Sequence, residues 1–489
     1  MEISNKNVFK NRWKILGVVV LLPFMATLDS TIVNVALPVM VNIFSVTMSS
    51  IQLIVICYLV TIVSTILFFG RLGDIKGKSI IFNIGLLIFT IGSLFCGLSS
   101  NLTSLVISRI IQAIGASAAM ANNQGIITQV FPANERGRAL GISGTFLALG
   151  TMIGPPLGGF IVSYFSWNYI FFINVPLGLI STIIGFRILP QKLEKNEDID
   201  LVGAILSGIS IILLFYSLVT GETIGYGNNV IIAAFVTAIF LFTIFIFIEK
   251  KLKYPLLDLS IFKNSLFSVG ILCTFISYMS INSNNIVQPF YLENVLKITP
   301  SFTGIIMLTY PVILTLISPF SGYLSDRIGS EFLTFIGLLL ISIGMSLMAT
   351  LDENSSIQVM CVYVSIMAIG NGLFLPPNNS LVMASAPSDK LGIAGSINAF
   401  IRNLGQSAGV SMATLLLYSL MSIKMNKKVF GYVEGRNDVF MFGMRYVYIG
   451  SAIVCLIGVV LTAIRLMKKK RANASNCFIE YNLKHTEKL

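Results

Sequence analysis

Very few side chains in this 489-residue chain could carry ionic or acid–base chemistry away from water. Asp29, Arg109 and Arg402 stand inside long apolar runs, and the one histidine, His485, falls in the C-terminal tail. A lone tail histidine supplies neither a metal-ligand set nor imidazole-based catalysis. Gly77-Lys78-Ser79 resembles the end of a phosphate-binding loop, but Leu72 occupies the position where that loop needs glycine. There is no G-x-S-x-G nucleophile motif either. No catalytic residues, cofactor or metal are therefore expected, and the chain is not read as an enzyme. The chemistry left over is that of one buried acid and its neighbours.

The elements that must hold that acid are apolar helices. Of the residues 55% are hydrophobic and only 11% charged, against about 25% charged in soluble proteins. A spanning helix needs about 20 mostly apolar residues. By that measure helices 1–14 are predicted at 14–38, 48–70, 79–98, 102–128, 138–162, 168–189, 201–220, 229–248, 266–290, 301–324, 331–350, 357–380, 391–420 and 441–466. The fold class is an all-α polytopic membrane protein. Arg12 and Lys14 precede helix 1, which is too long for a signal-peptide core and is expected to be retained.

An even number of spans puts both termini on one side. With the termini cytoplasmic, only Lys297, Lys424, Lys427, Lys428, Arg436 and Arg445 of the basic loop residues lie outside, so the positive-inside rule selects that orientation in the cell membrane. The net charge of +12 then reads as topology and contact with membrane lipids, not as nucleic-acid binding.

Depth can be worked out along each helix. Asp29 is fifteen residues from the start of helix 1, roughly 22 Å at 1.5 Å per residue. Arg109 is seven residues from the opposite end of helix 4, roughly 10 Å. In a hydrocarbon core about 30 Å thick the two levels agree within a turn. Burial disfavours a carboxylate's charge and a nearby guanidinium favours it, so moving Arg109 would switch the proton affinity of Asp29. A structural ion pair is the alternative.

The chain also repeats itself. GRLGD at 70–74 returns as GYLSD at 322–326, offset by 252 residues, and Ala113-Ile114-Gly115 returns as Ala368-Ile369-Gly370, offset by 255. Pro132 and Gly137 likewise match Pro387 and Gly392. Two six-helix bundles in the same orientation follow. The predicted organisation is a 1–13 N-terminus, a 14–189 bundle, a 190–265 linker with two extra central helices, a 266–466 bundle and a 467–489 basic tail. Such parallel repeats enclose a cavity near the bilayer midplane.

These motifs carry a family resemblance. LDSTIVNVALP at 28–38, GRLGDIKGK at 70–78, Arg109 with Gln112 and Gly115, GTMIGPPLGG at 150–159, and Trp167 followed by INVPLG at 173–178 resemble, in order, the signatures of the fourteen-helix drug:proton antiporters of the major facilitator superfamily. Two positions depart: Ile75 stands where a basic residue is usual, and Ala113 where glycine is usual. The resemblance implies a proton-coupled multidrug exporter of lipophilic, often cationic, small molecules, working as a single chain. Proton and cargo would alternate on Asp29, with Arg109 tuning it. A same-fold exporter of one endogenous metabolite, lipid precursor or siderophore is the alternative.

Site residues follow from motif and polarity. Gly70, Gly73, Asp74, Gly77 and Lys78, with the repeat partners Asp326 and Arg327, are expected to form a gate in which Asp74 faces a helix N-terminus of the opposite bundle. Gly150, Gly154, Gly158 and Gly159 around Pro155-Pro156 suggest a hinge at the interface between bundles. Polar groups in spans must face protein or a wet cavity, and aromatic rings supply the apolar walls of a site for lipophilic ligands, which makes Asn34, Tyr58, Gln112, Tyr278, Asn282, Asn285, Gln288, Asn371, Phe374 and Asn398 the cargo-binding candidates.

Overall fold

A computed structural model describes residues 9–46, 48–190, 197, 199–225, 227–388, 390–429 and 432–486. The first eight residues, most of the 191–198 segment of the linker, and the basic-tail side chains beyond Lys468 lie outside the described residues. Among those described there are helices and no strand. Fourteen helices are long and apolar enough to cross a bilayer. They are α1 (Arg12–Leu37), α2 (Leu53–Lys76), α3 (Lys78–Gly97), α4 (Leu102–Val130), α5 (Ala133–Tyr164), α6 (Tyr169–Ile188) and α7 (Leu201–Leu218), then α8 (Asn229–Glu249), α9 (Ser265–Val295), α10 (Phe302–Ile328), α11 (Ser330–Met348), α12 (Ile357–Ala384), α13 (Leu391–Met425) and α14 (Asn437–Lys468).

Helix is the form in which an apolar segment satisfies its own backbone without water. Polar residues stand where donors are left over. Asn101 and Ser104 cap α4 reciprocally, and Asp200, Asn228 and Ser356 accept from the first N–H groups of α7, α8 and α12. The segment expected as a loop at 70–78 is mostly helical. Gly70, Gly73 and Asp74 are in the last turns of α2, and the chain turns at Gly77 alone, where φ is 103°. Its repeat partner Gly329 turns the chain into α11 at φ 94°, a conformation glycine adopts without Cβ strain.

Pro23 breaks α1 near Val20. It has no N–H for the Val19 carbonyl, and that carbonyl instead accepts from Asn123 Nδ2 of α4 at 2.8 Å. One apolar core joins the first six spans to the inner faces of α7 and α8, through Ile211, Phe215 and Phe245. Another fills the last six, including Cys273, Leu338, Phe374 and Tyr448. Phe240, Phe247, Ile453, Ile457 and Val460 face outward, as lipid contact allows. The two halves meet where α2 runs along α13 and α5 along α10, while the α7–α8 hairpin packs on α2.

Candidate functional site

Asp29 of α1 and Arg109 of α4, placed at one depth by helix arithmetic, are joined: Arg109 Nη1 donates to Asp29 Oδ2 at 2.5 Å. The other carboxylate oxygen accepts from Gln112 Nε2 at 2.9 Å and Asn174 Nδ2 at 3.0 Å. Arg109 also donates to Gln112 Oε1 and to the Ile54 carbonyl, and its guanidinium lies 4.1 Å from the Tyr58 ring centroid. Gln112 reaches Ser93 Oγ at 2.8 Å. Asp29 is 1% exposed and Arg109 fully buried. Both oxygens of the carboxylate are thus held by donors, one of them a guanidinium. The cluster is enclosed by α1, α2, α3, α4 and α6, all within the first half.

The terminal face, where α1 begins and α14 ends, holds a second constellation. Asp74 accepts from the Gly392 and Ile393 N–H groups, each at 2.8 Å, which are orphan donors at the start of α13. Lys78 Nζ sits 2.5 Å from the same carboxylate. Across the pseudo-symmetric contact, Asp326 accepts from the Gly137 and Arg138 N–H groups early in α5, at 3.0 Å each. Gly70 allows the approach: a Cβ there would stand 2.3 Å from Ser396 Oγ of α13. Gly73 instead faces Asn122 of its own half. Arg327 leaves Asp326 and stacks on Tyr323, 4.5 Å from the ring centroid.

Between the halves lie two cavities. The larger, about 430 Å³, is lined by Ser30 and Asn34 of α1, Asn282 of α9, Asn403 and Gln406 of α13, and Phe215 and Leu218 of α7. The smaller, nearer the terminal face, is lined by Asn123, Gln124, Tyr278, Ser318, Asn379 and Arg402 among others. Asn398 bridges the halves beside it, donating to Gln124 Oε1 and Asn379 Oδ1.

Of the cargo-binding candidates, Asn34 and Asn282 line the larger cavity and Tyr278 the smaller. Asn285 is exposed and lines neither. Asn398 ties the halves together beside the smaller cavity, and the other five turn into the bundles. Tyr58 and Gln112 belong to the Asp29 cluster. Gln288 accepts from Asn284, Asn371 ties Ser277 to Tyr310, and Phe374 is wholly buried in the second core. In place of a cavity lining, this structure gives these five as interhelical ties or core, because interior faces of spans need polar partners as much as cavities do. Asp29 itself lines neither cavity, although its neighbour Ser30 does. The carboxylate is thus held apart from the crevice where cargo was expected to displace its proton.

The glycines of α5 point elsewhere than an interface between halves. A Cβ at Gly150, Gly154 or Gly158 would strike Thr27, Thr31 or Ile32 of α1, in the same half. Gly159 meets nothing within 4 Å, and Pro155 and Pro156 are exposed within an unbroken helix. Within α5 the glycines that approach the other half most closely are Gly137 and Gly141, against α10. Several groups were missed by reading the sequence, among them Ser93, Asn123, Gln124, Asn174, Phe215, Leu218 and Asn403. Asn174 lay inside the INVPLG signature and was legible there; Phe215 and Leu218 carried no signal, being two apolar residues in an apolar span.

The Major Facilitator Superfamily model matches residues 19–272 and 270–476. The riboflavin transporter RibZ of Clostridioides difficile (strain 630) is 34% identical over 467 residues, covering 95% of this chain and 99% of RibZ. The multidrug transporter protein MdtP of Bacillus subtilis (strain 168) is 28% identical, covering 89% and 80%. Multidrug resistance protein Stp of Mycobacterium tuberculosis (strain ATCC 25618 / H37Rv) is 29% identical, covering 82% and 74%. In fold, the chain matches the proton:xylose symporter XylE with a TM-score of 0.65 at 14% identity, covering 92% of this chain and 95% of that one. With fourteen spans in a single multi-pass membrane unit, the chain belongs to the major facilitator superfamily, whose members are transporters rather than enzymes.

Proposed function

We propose that this transporter is a proton-coupled exporter of lipophilic small molecules, working as a monomer with both termini cytoplasmic. The observation that carries the reading is the sealed Asp29–Arg109 pair, an acid and its counter-ion deep inside the spans. Ionisable groups there are costly, about 2.5–3.5 kcal/mol each on insertion scales. Protonating Asp29 cancels the charge that holds Arg109, and loosens α1 from α4. Ser30 and Asn34, the next residues of α1 toward the larger cavity, move with it, so that proton and cargo are coupled through the helix rather than by sharing one atom. Asp74 and Asp326 act as a pair of latches that hold the cytoplasmic end shut in this conformation. Driving force comes from the pH gradient, about 1.4 kcal/mol per unit, and from membrane potential, about 2.3 kcal/mol per net charge per 100 mV.

Dye transport in proteoliposomes under an imposed pH gradient tests the coupling. Wild type is expected to accumulate dye against its gradient, and Asp29→Asn to lose accumulation while still binding dye. Undiminished gradient-driven accumulation by Asp29→Asn overturns the proposal. A second reading, one endogenous metabolite as cargo, is favoured by the full-length similarity to a riboflavin transporter. A deletion strain whose sensitivity to a broad drug and dye panel is unchanged would select it.

A further inference from the structure

Cargo chemistry is written on one face of α13. Arg402, Asn403, Gln406, Ser407, Val410 and Ser411 follow helical spacing, and every one lines a cavity between the halves. Arg402 lies eleven residues into the helix, roughly 16 Å deep, in a hydrocarbon core about 30 Å thick. It lines the smaller cavity together with Tyr278, and no ion pair to it occurs among the described residues. Neither cavity has an aspartate or glutamate in its lining. The often-cationic cargo expected from resemblance therefore finds no counter-charge here.

The repeat sharpens the point. At the 255-residue offset Gln124 pairs with Asn379, Met120 with Leu375 and Leu147 with Arg402, and all six line the smaller cavity. Like residues recur at these repeat positions, amide for amide and apolar for apolar, as they do at Gly144 and Ala399, whereas Pro23 and Tyr278, and Leu147 and Arg402, are unlike pairs. Arg402, the single charge in the lining of either cavity, is thus also one of the positions where the two halves differ.

We propose that Arg402 receives an anionic oxygen edge of the cargo, such as a carboxylate, with the ring system lying in the larger cavity beside Asn403, Gln406 and Phe215. The guanidinium presents a planar fork of donors that suits such an edge in bidentate fashion, whereas a cation there meets unscreened repulsion. A cavity of about 430 Å³ falls within the range that encloses drug-sized ligands. This deepens the exporter reading and rests on it only for the crevice being the cargo route.

Equilibrium binding to purified protein in nanodiscs, with no gradient, separates it from proton coupling. The probes are fluorescein and rhodamine 123, an anion and a cation on the same xanthene frame, followed by fluorescence anisotropy. Wild type is expected to bind fluorescein at least tenfold more tightly than rhodamine 123. Arg402→Gln should erase that preference, and Arg402→Lys, which keeps the charge, should retain most of it and control for misfolding. Equal or tighter rhodamine binding by wild type overturns the proposal, as does a preference that survives Arg402→Gln. Loss of gradient-driven flux in Asp29→Asn has no bearing on either result.

Discussion

Two arginines are carried deep in the membrane, and they are treated in opposite ways. Arg109 is fully buried against Asp29, Gln112, the Ile54 carbonyl and the Tyr58 ring. Arg402 lines the smaller cavity together with Tyr278. The first charge is neutralised inside one bundle and is part of its architecture. The second lines a cavity between bundles and has no ion pair among the described residues. Intramembrane charge is thus placed in two different ways, and the two proposals follow that difference: a proton for the sealed pair, cargo for the arginine that lines a cavity.

The contrast is broken most readily by truncating each arginine alike. Arg109→Gln leaves Asp29 buried without its counter-ion, a loss of about 3–5 kcal/mol, read as a large fall in thermal stability in detergent. Arg402→Gln strands no acid, and is expected to cost under about 1 kcal/mol in the same melting assay. Equal losses would show that both arginines are structural.

The latches sharpen the contrast, since they too bridge halves but with all charges answered. Asp74→Asn weakens two charge-assisted bonds to α13, with about 1.5–3 kcal/mol for each such bond at stake. Slower turnover with cargo affinity changed less than threefold is expected, together with longer spin-label distances between α2 and α13 at the terminal face. Asp326→Asn should act in the same direction at α5 and α10, and unchanged distances in both variants would remove the latch.

The smallest effect belongs to the surface tie between Asp258 and Lys390. Burial works against the Asp258 charge, but Lys390 and Ser260 outweigh it and hold the acid below its ordinary range. A lowered acid contributes stability above its unfolded pKa and loses it as pH falls through the folded value. Asp258→Asn should therefore cost about 0–1 kcal/mol at neutral pH, and nothing once the medium is acidic enough to protonate the wild-type carboxylate, as paired melts at the two pH values would show.

Much of this arrangement was legible beforehand, for reasons that can be named. Asp29 and Arg109 could be brought together because helical rise converts sequence distance into depth, and depth is the one coordinate a bilayer fixes. Asp74 could be aimed at an opposing helix because its repeat, Asp326, pointed to a symmetric contact. The faces of Gln112, Asn371 and Gln288 could not be assigned, and neither could Gly150 and Gly154 be aimed at α1 rather than across the interface. Depth says nothing about rotation.

The amino-acid sequence determined fourteen spans, their duplication, the scarcity of charge and the level of each charged group. Tertiary structure alone decided which side of each helix met lipid, its own bundle or the crevice, and so separated a sealed acid from an open arginine. The reason lies in the solvent. In water a helix declares its inner face by its apolar stripe, but lipid is as apolar as a protein core. Orientation is then settled by close packing at glycines such as Gly70 and Gly150 and by polar partners found on other helices.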